Sequence, residues 1–134
     1  MRPVLLAFLL AAAGPAAAAG LDDCDRETSN VEIGQCVWDH YQAADQELNR
    51  VWDKVMAQIG ETDADVMPAD KVKEWRKVLT EAQRNWANFK DKDCSGAVAF
   101  EWYGGSSAGV AIGTCLYHHT VARTKELTER YLNN

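Results

Sequence analysis

Four cysteines limit how this chain can fold more than any other feature of its sequence. They are Cys24, Cys36, Cys94 and Cys115. An even number of cysteines in a small exported chain is typical of two disulfides. No two of them have C-x-x-C spacing, and none is placed near a histidine in the pattern of a zinc module. The cysteines therefore predict a disulfide-braced fold, with no metal site and no cofactor.

The first residues of the chain predict that it is exported. A basic start at Arg2 precedes an apolar run over residues 4–13, and an alanine-rich stretch ends at Ala19. Because this run is too short to span a bilayer, the pattern is typical of a cleavable secretory signal over residues 1–19. Residues 21–23 read LDD and lack the small side chains that precede a lipidated cysteine in a bacterial lipoprotein.

Removal of the signal leaves one acidic domain over residues 20–134. Since Arg2 is lost, the 14 basic residues become 13 against 20 acidic ones, and the formal net charge changes from −6 to −7. A negative surface disfavours nucleic acid and anionic membranes and favours encounter with a cationic partner. We therefore expect a periplasmic or secreted protein that binds a protein partner, without nucleic acid and without membrane insertion.

The spacing of apolar residues predicts three helices and no sheet. Apolar stripes with the period of an α-helix run over residues 33–59, 72–89 and 112–132. Gly60 ends the first helix. Residues 95–109, SGAVAFEWYGGSSAG, are neither helical nor polar in pattern and are expected to form a loop. Nothing alternates with the period of a strand, so the fold class is all-α.

The second stripe contains the stretch AQRNWANFKDKDC, residues 82–94. At helical spacing Trp86 and Phe89 face the core, Lys90 lies at the edge of the stripe, and Cys94 ties down the end of the helix. Asp70 is a candidate cap for the start.

Short connections make neighbouring helices antiparallel, which gathers all four cysteines at one end of the bundle. Four cysteines allow three pairings. Cys36 and Cys115 lie on inward stripes, whereas Cys94 follows a helix end where it can meet Cys24. These positions favour the pairs 24–94 and 36–115. The predicted architecture is a disulfide-stapled three-helix bundle, a long helical hairpin plus a C-terminal helix, with an aromatic glycine-rich loop.

Three blocks of residues together carry a recognisable pattern. They are Tyr41-x-x-Ala44-Asp45-x-x-Leu48-Asn49-x-x-Trp52, then Ala82-Gln83-Arg84-x-Trp86-x-x-Phe89-Lys90-Asp91-x-x-Cys94, then Gly104-Gly105-Ser106 with Cys115, Thr120, Arg123 and Leu127. The pattern resembles the lysozyme inhibitor LprI-like family of small exported bacterial proteins, over residues 24–132. The family usually has tyrosine in place of Trp52 and arginine in place of Lys90. The resemblance implies an exported helical domain and, through the family's name, inhibition of lysozyme.

Four polar residues are predicted to connect the first two helices. They are Asp45, Asn49, Gln83 and Arg84. Asp45 and Asn49 lie one turn apart on one helix face, and the antiparallel register puts Arg84 opposite Asp45. We expect a structural ion pair with amide hydrogen bonds rather than a binding or catalytic site.

The sequence does not predict an enzyme. His118 and His119 point to different faces of a helix, and His40 lies elsewhere, so no third metal ligand is placed with them. The acidic residues are spread along solvated faces, and the chain has no glycine-rich phosphate loop, serine elbow or paired nucleophile and base.

One segment of the predicted loop is a candidate for partner binding. Its residues are Phe100, Glu101, Trp102, Tyr103, Gly104, Gly105 and Ser106. Aromatic side chains in exposed loops are typical anchors of protein interfaces. The alternative is that the rings fold back over the cysteine end and cap a small core.

Two functional hypotheses follow from the sequence. In the first, the domain binds a cationic lysozyme outside the cytoplasm and occludes its cleft through this segment. In the second, it is a structural or interaction module of the cell envelope whose protein partner is not lysozyme.

Overall fold

The computed structural model describes residues 20–133, and every regular element in that range is helical. The elements are a 3₁₀ helix at Leu21–Arg26, α1 at Asn30–Gly60, α2 at Ala69–Lys92, a π-helical turn at Asp93–Val98, α3 at Ala99–Glu101 and α4 at Ala108–Tyr131. The predicted all-α fold is confirmed. The predicted signal peptide, residues 1–19, lies outside the described residues. Among residues 20–133, no helix combines the length and the apolar character that a bilayer crossing demands.

Helix α1 begins where its sequence supplies a cap. Ser29 Oγ accepts a hydrogen bond from the Glu32 backbone N–H at 3.2 Å and donates to the Glu32 carboxylate at 2.8 Å. This hydrogen bond from Ser29, together with one from Thr28, lowers the pKa of Glu32. These hydrogen bonds fix the start of α1, the helix that carries Cys36.

Helices α1 and α4 run parallel and make the most extensive helix contact of the fold. The side-chain amide of Asn30 donates to Ser106 Oγ at 3.0 Å just before α4, and farther along Val37 packs against Gly113. Both pairs are separated by the same number of residues, as parallel helices of equal rise require. The predicted hairpin of α1 and α2 is present, but α1 packs more extensively against α4 than against α2.

Helix α2 runs antiparallel to α4. The ring of Phe89, late in α2, lies 5.5 Å from that of His119, whereas the ring of Trp75, early in α2, lies 6.2 Å from that of Tyr131 at the end of α4. The three long helices therefore go up, down and up.

The main apolar core occupies the end of the bundle away from the cysteines. Its buried members are Leu48, Val51, Val55, Ile59, Val72, Leu79 and Leu127. Fully burying one such side chain stabilises the fold by roughly 1.5–3 kcal/mol.

Three details of α2 differ from the prediction. Beyond Lys92, the last residue of α2, the helical backbone continues through a π-helical turn into α3. Only the turn after α3 therefore remains of the predicted loop. On the helix surface Phe89 is 58% exposed while Lys90 is only 5% exposed, which reverses their expected roles. The residue before α2 is Pro68, and Asp70 lies in the first turn rather than at the cap.

The predicted disulfide pairing of Cys24 with Cys94 and Cys36 with Cys115 is wrong. The structure joins Cys24 to Cys36, with 5.6 Å between their Cα atoms, and Cys94 to Cys115, with 5.5 Å. Both bridges lie at the same end of the bundle, here called the cysteine pole: the 3₁₀ helix, the first turns of α1 and α4, and the π-helical turn.

Local backbone geometry explains the correction. The 3₁₀ helix folds back along the start of α1, which brings Cys24 to its sequence neighbour Cys36. Because α2 continues past residue 92, Cys94 lies on a helical turn that faces α4 instead of beyond a helix end. The bridges span 12 and 21 residues, and the chain-entropy model gives each about 3 kcal/mol of stabilisation.

Tryptic digestion of the oxidised protein tests the pairing directly. Arg26 separates Cys24 from Cys36, whereas residues 93–123 hold Cys94 and Cys115 without an internal lysine or arginine before Arg123. We expect mass spectrometry to find the peptide ending at Arg26 linked to 27–50, and 93–123 as a separate, internally bridged peptide. A single species that contains all three peptides would contradict the structure.

Candidate functional site

The aromatic segment after the π-helical turn is exposed at the cysteine pole. Phe100 is 77% exposed, Trp102 46% and Tyr103 86%. These three side chains and Glu101 between them are here called the aromatic surface. The rings do not fold back to cap the pole. All seven residues predicted to bind a partner, 100–106, lie on the surface.

Backbone hydrogen bonds hold the aromatic surface in shape. Phe100 and Glu101 belong to α3, and the Gly105 N–H donates to the Trp102 carbonyl at 2.8 Å to close the following turn. Gly104 has φ of +72°, a left-handed conformation that favours glycine. A Cβ on Gly105 would lie 3.1 Å from the same carbonyl. The two glycines therefore make the turn possible.

Both ends of this segment are anchored to the bundle. The bridge between Cys94 and Cys115 fixes the π-helical turn that precedes α3, and Asn30 donates to Ser106 at the other end. Val31, beside Asn30, is 82% exposed and adds an apolar side chain at the same pole. A surface supported at both ends loses less conformational entropy on binding than a free loop.

The four polar residues predicted to connect α1 and α2 are placed differently. Asn49 donates to Asp45 at 3.4 Å within α1, and Gln83 accepts from Arg123 Nε of α4 at 2.9 Å. Arg84 lines the same shallow groove as Asp45, but among the described residues the two form no ion pair. The expected Asp45–Arg84 ion pair is therefore wrong, because Arg84 lies on the exposed side of α2.

Trp86 and Lys90 form the polar centre of the bundle instead. Lys90 Nζ donates to the Tyr41 hydroxyl at 3.2 Å and lies 5.2 Å from the ring centroids of both Tyr41 and Trp86. On the same indole, the Arg123 guanidinium carbon lies 5.9 Å from the centroid. Cations held against aromatic faces are stabilised by the ring quadrupole, more so when water is excluded. This cluster links all three long helices.

Each disulfide has an aspartate and a histidine beside it. His40 Nε2 lies 3.1 Å from Asp23 Oδ1 next to Cys24–Cys36, and His119 Nε2 lies 2.9 Å from Asp93 Oδ2 next to Cys94–Cys115. Sequence reasoning found no cysteine and histidine in the pattern of a zinc module. The missed signal is the C-x-x-x-H spacing of both pairs, which puts cysteine and histidine one helical turn apart.

The fold and these clusters define a small all-helical domain braced by two disulfides, with exposed aromatic side chains at the braced end. The family model described as lysozyme inhibitor LprI matches residues 23–127. The chain belongs to this family, as the sequence blocks predicted. A similar protein is an uncharacterized protein of Rhizobium meliloti (strain 1021), 34% identical over 126 residues that span 92% of this chain and 90% of that protein. The comparison with solved structures gave no significant match.

Membership of this family implies a protein-binding role of the lysozyme-inhibitor kind. The family is one of inhibitors and not of enzymes. The two disulfides fit an extracellular environment, where oxidised thiols persist. In the structure, the family blocks around Tyr41, Gln83, Trp86 and Arg123 contribute to the polar centre, so these residues hold the helices together.

Replacement of Lys90 by alanine tests the polar centre. We expect Lys90→Ala to lower the free energy of unfolding by about 2 kcal/mol, because its buried stem and its contacts with two aromatic rings are lost. Lys92→Ala is the matched control: Lys92 is exposed two residues away, and its loss should change stability by less than about 0.5 kcal/mol. Urea denaturation measures both, and equal effects would contradict a structural role for Lys90.

Proposed function

We propose that this protein is an exported inhibitor that binds a lysozyme through its aromatic surface and occludes the substrate cleft. The observation that carries the proposal is the exposure of Phe100, Trp102 and Tyr103 on an anchored segment. Large exposed rings are costly to leave in water and typical of interface anchors. Family membership supplies the class of partner.

The charge of the chain supports the same partner. A domain over residues 20–134 has a formal net charge of −7, since 13 basic residues face 20 acidic ones once Arg2 is removed with the signal. Opposite net charges accelerate the encounter of two proteins and lose this effect at high ionic strength. Glu101 contributes an exposed carboxylate between Phe100 and Trp102 that is available to a cationic cleft.

The shape of the aromatic surface fits insertion into a concave site. Its rings lie on α3 and on the tight turn that follows it, at one end of the helical bundle. A cleft-binding protein needs a narrow, rigid protrusion of this kind, because a broad helix face meets only the rim of a cleft. The long helices would then keep substrate away from the rest of the cleft.

A lysis assay tests the proposal. The oxidised mature protein, at micromolar excess, is expected to slow lysis of bacterial cells by at least one of several lysozyme types. The double change Trp102→Ala with Tyr103→Ala should weaken inhibition about 30-fold or more, since truncation of interface hot spots costs 2 kcal/mol or more.

The matched control is the double change Val66→Ala with Val78→Ala. These side chains are 78% and 57% exposed and lie away from the cysteine pole, so their truncation removes exposed apolar surface without touching the proposed contact. Circular dichroism confirms that both double variants keep the fold. If no lysozyme type is slowed, the partner is another protein; if inhibition survives the loss of Trp102 and Tyr103, the contact surface is elsewhere.

A further inference from the structure

The chain contains the same four-residue arrangement twice. An Asp-Cys pair is bridged to a Cys-x-x-x-His pair at Asp23-Cys24 with Cys36 and His40. The arrangement recurs at Asp93-Cys94 with Cys115 and His119. Neither the proposed lysozyme contact nor the polar centre uses either histidine. Two copies of one arrangement, on different helices, call for a common chemical explanation.

In each cluster the four side chains converge on one point. One ligand atom from each residue, two sulfurs, an imidazole nitrogen and a carboxylate oxygen, lies within 4.8 Å of the other three. In the second cluster, Cys115 Sγ lies 3.9 Å and His119 Nε2 lies 2.9 Å from the same oxygen of Asp93. No other groups of this kind occur within residues 20–133.

Two separations in the second cluster lie within about 0.5 Å of the edges of a tetrahedral zinc site. Zinc lies about 2.3 Å from sulfur and about 2.0 Å from nitrogen or oxygen, so two of its ligands are about 3.3–3.8 Å apart. The nitrogen–oxygen and sulfur–oxygen distances of the second cluster fall close to this range. The two sulfurs do not, because they are bonded to each other and cannot both coordinate a metal as thiolates.

Helix geometry and ring packing hold the histidines beside the sulfurs, with each imidazole directed at the aspartate of its cluster. Residues one turn apart on a helix share a face, which places His40 above Cys36 on α1 and His119 above Cys115 on α4. The ring of Tyr117 packs edge-on against His40 at 6.2 Å, and Phe89 packs against His119 at 5.5 Å. Such outer contacts fix the direction in which a ligating imidazole points.

We propose that each cluster becomes a Zn²⁺ site with two thiolates, one imidazole and one carboxylate when a dithiol reduces its disulfide. The dithiol gives two electrons and two protons, which break the sulfur–sulfur bond and leave two protein thiols, and the dithiol itself becomes a disulfide. Zn²⁺ then displaces both thiol protons to solvent and forms two Zn–S bonds, one Zn–N bond and one Zn–O bond.

The metal would replace the covalent link at the same place in the fold. Cys24 and Cys94 are buried, whereas Asp23 and Asp93 have side chains 47% and 39% exposed. Each site is therefore open to solvent on its carboxylate side and has one buried and one partly exposed cysteine. Reduction in the presence of zinc should leave the cysteine pole connected, whereas reduction without metal should loosen it.

Zinc competition measures the proposed sites. The protein is reduced under nitrogen with a phosphine, desalted, and titrated with Zn²⁺ against a chromophoric chelator of nanomolar affinity. We expect the reduced protein to take two ions per chain, one for each cluster, and the oxidised protein to take none from the chelator. With Co²⁺ in place of Zn²⁺, the reduced protein should show thiolate-to-cobalt charge-transfer bands and the d–d bands of tetrahedral cobalt.

Histidine variants separate the proposed sites from adventitious thiol binding. His40→Gln and His119→Gln should each weaken one site by more than about 100-fold, beyond the effect of outer-shell changes, and leave one ion per chain. His118→Gln is the control, because His118 is exposed beside these residues but belongs to neither cluster. It should keep both ions.

Two results of the zinc titration would overturn the proposal. One is a reduced protein that cannot take zinc from the chelator, and the other is unchanged binding of two ions by both His40→Gln and His119→Gln. If reduction alone lowers the helical circular dichroism, added Zn²⁺ should restore it in the native protein and in His118→Gln. Failure of this recovery counts equally against the sites. Lysozyme inhibition plays no part in these measurements, so the outcome is independent of the proposed function.

Discussion

The close parallel contact of α1 and α4 positions everything else at the cysteine pole. A Cβ on Gly113 would lie only 2.9 Å from Cγ1 of Val37 and 3.6 Å from Nε1 of Trp38, so only glycine allows the helices to approach this closely. Val37 is buried and β-branched, and its side chain has little freedom to move aside. The contact fixes the starts of α1 and α4 side by side. It therefore also sets the distance between the two bridges and allows the hydrogen bond from Asn30 to Ser106.

Residues 82–94, the last part of α2 and the start of the π-helical turn, connect α2 to α1 and α4. Four of its residues, spaced seven, three and one positions apart, contact the neighbouring helices α1 and α4. Gln83 meets Arg123, Lys90 meets Tyr41, Asp93 meets His119, and Cys94 is bonded to Cys115. This spacing keeps all four side chains on one helix face. Packing thus explains Gln83, Lys90 and Cys94 of the family pattern in this stretch, while the aromatic surface stays exposed.

Local patterns in the sequence predicted more of this structure than long-range pairings did. The apolar stripe over residues 33–59 and Gly60 indicated most of α1 and its last residue, because helix periodicity and helix-ending residues depend on neighbours in sequence. The disulfide pairing could not be read from the same patterns, since the fold-back of the 3₁₀ helix and the continuation of α2 through Ser95 and Gly96 depend on tertiary contacts. Lys90 was missed because a lysine is seldom buried, and its aromatic partners lie on two helices. The C-x-x-x-H spacing was present in the sequence. It indicated a cluster of possible metal ligands only once the structure placed Asp23 and Asp93 beside it.

The contact at Gly113 is tested most directly by comparing two glycines of α4. Gly109→Ala introduces a methyl group with no neighbour within 4 Å, so the helix preference of alanine should raise the free energy of unfolding by about 0.5–1 kcal/mol. Gly113→Ala gains the same preference but forces Val37 and α1 away, and the net effect should be a loss of about 1–2 kcal/mol. Urea denaturation of the oxidised variants gives both values. Opposite signs are the predicted result, and an equal gain at both positions would show that α1 and α4 do not meet at Gly113.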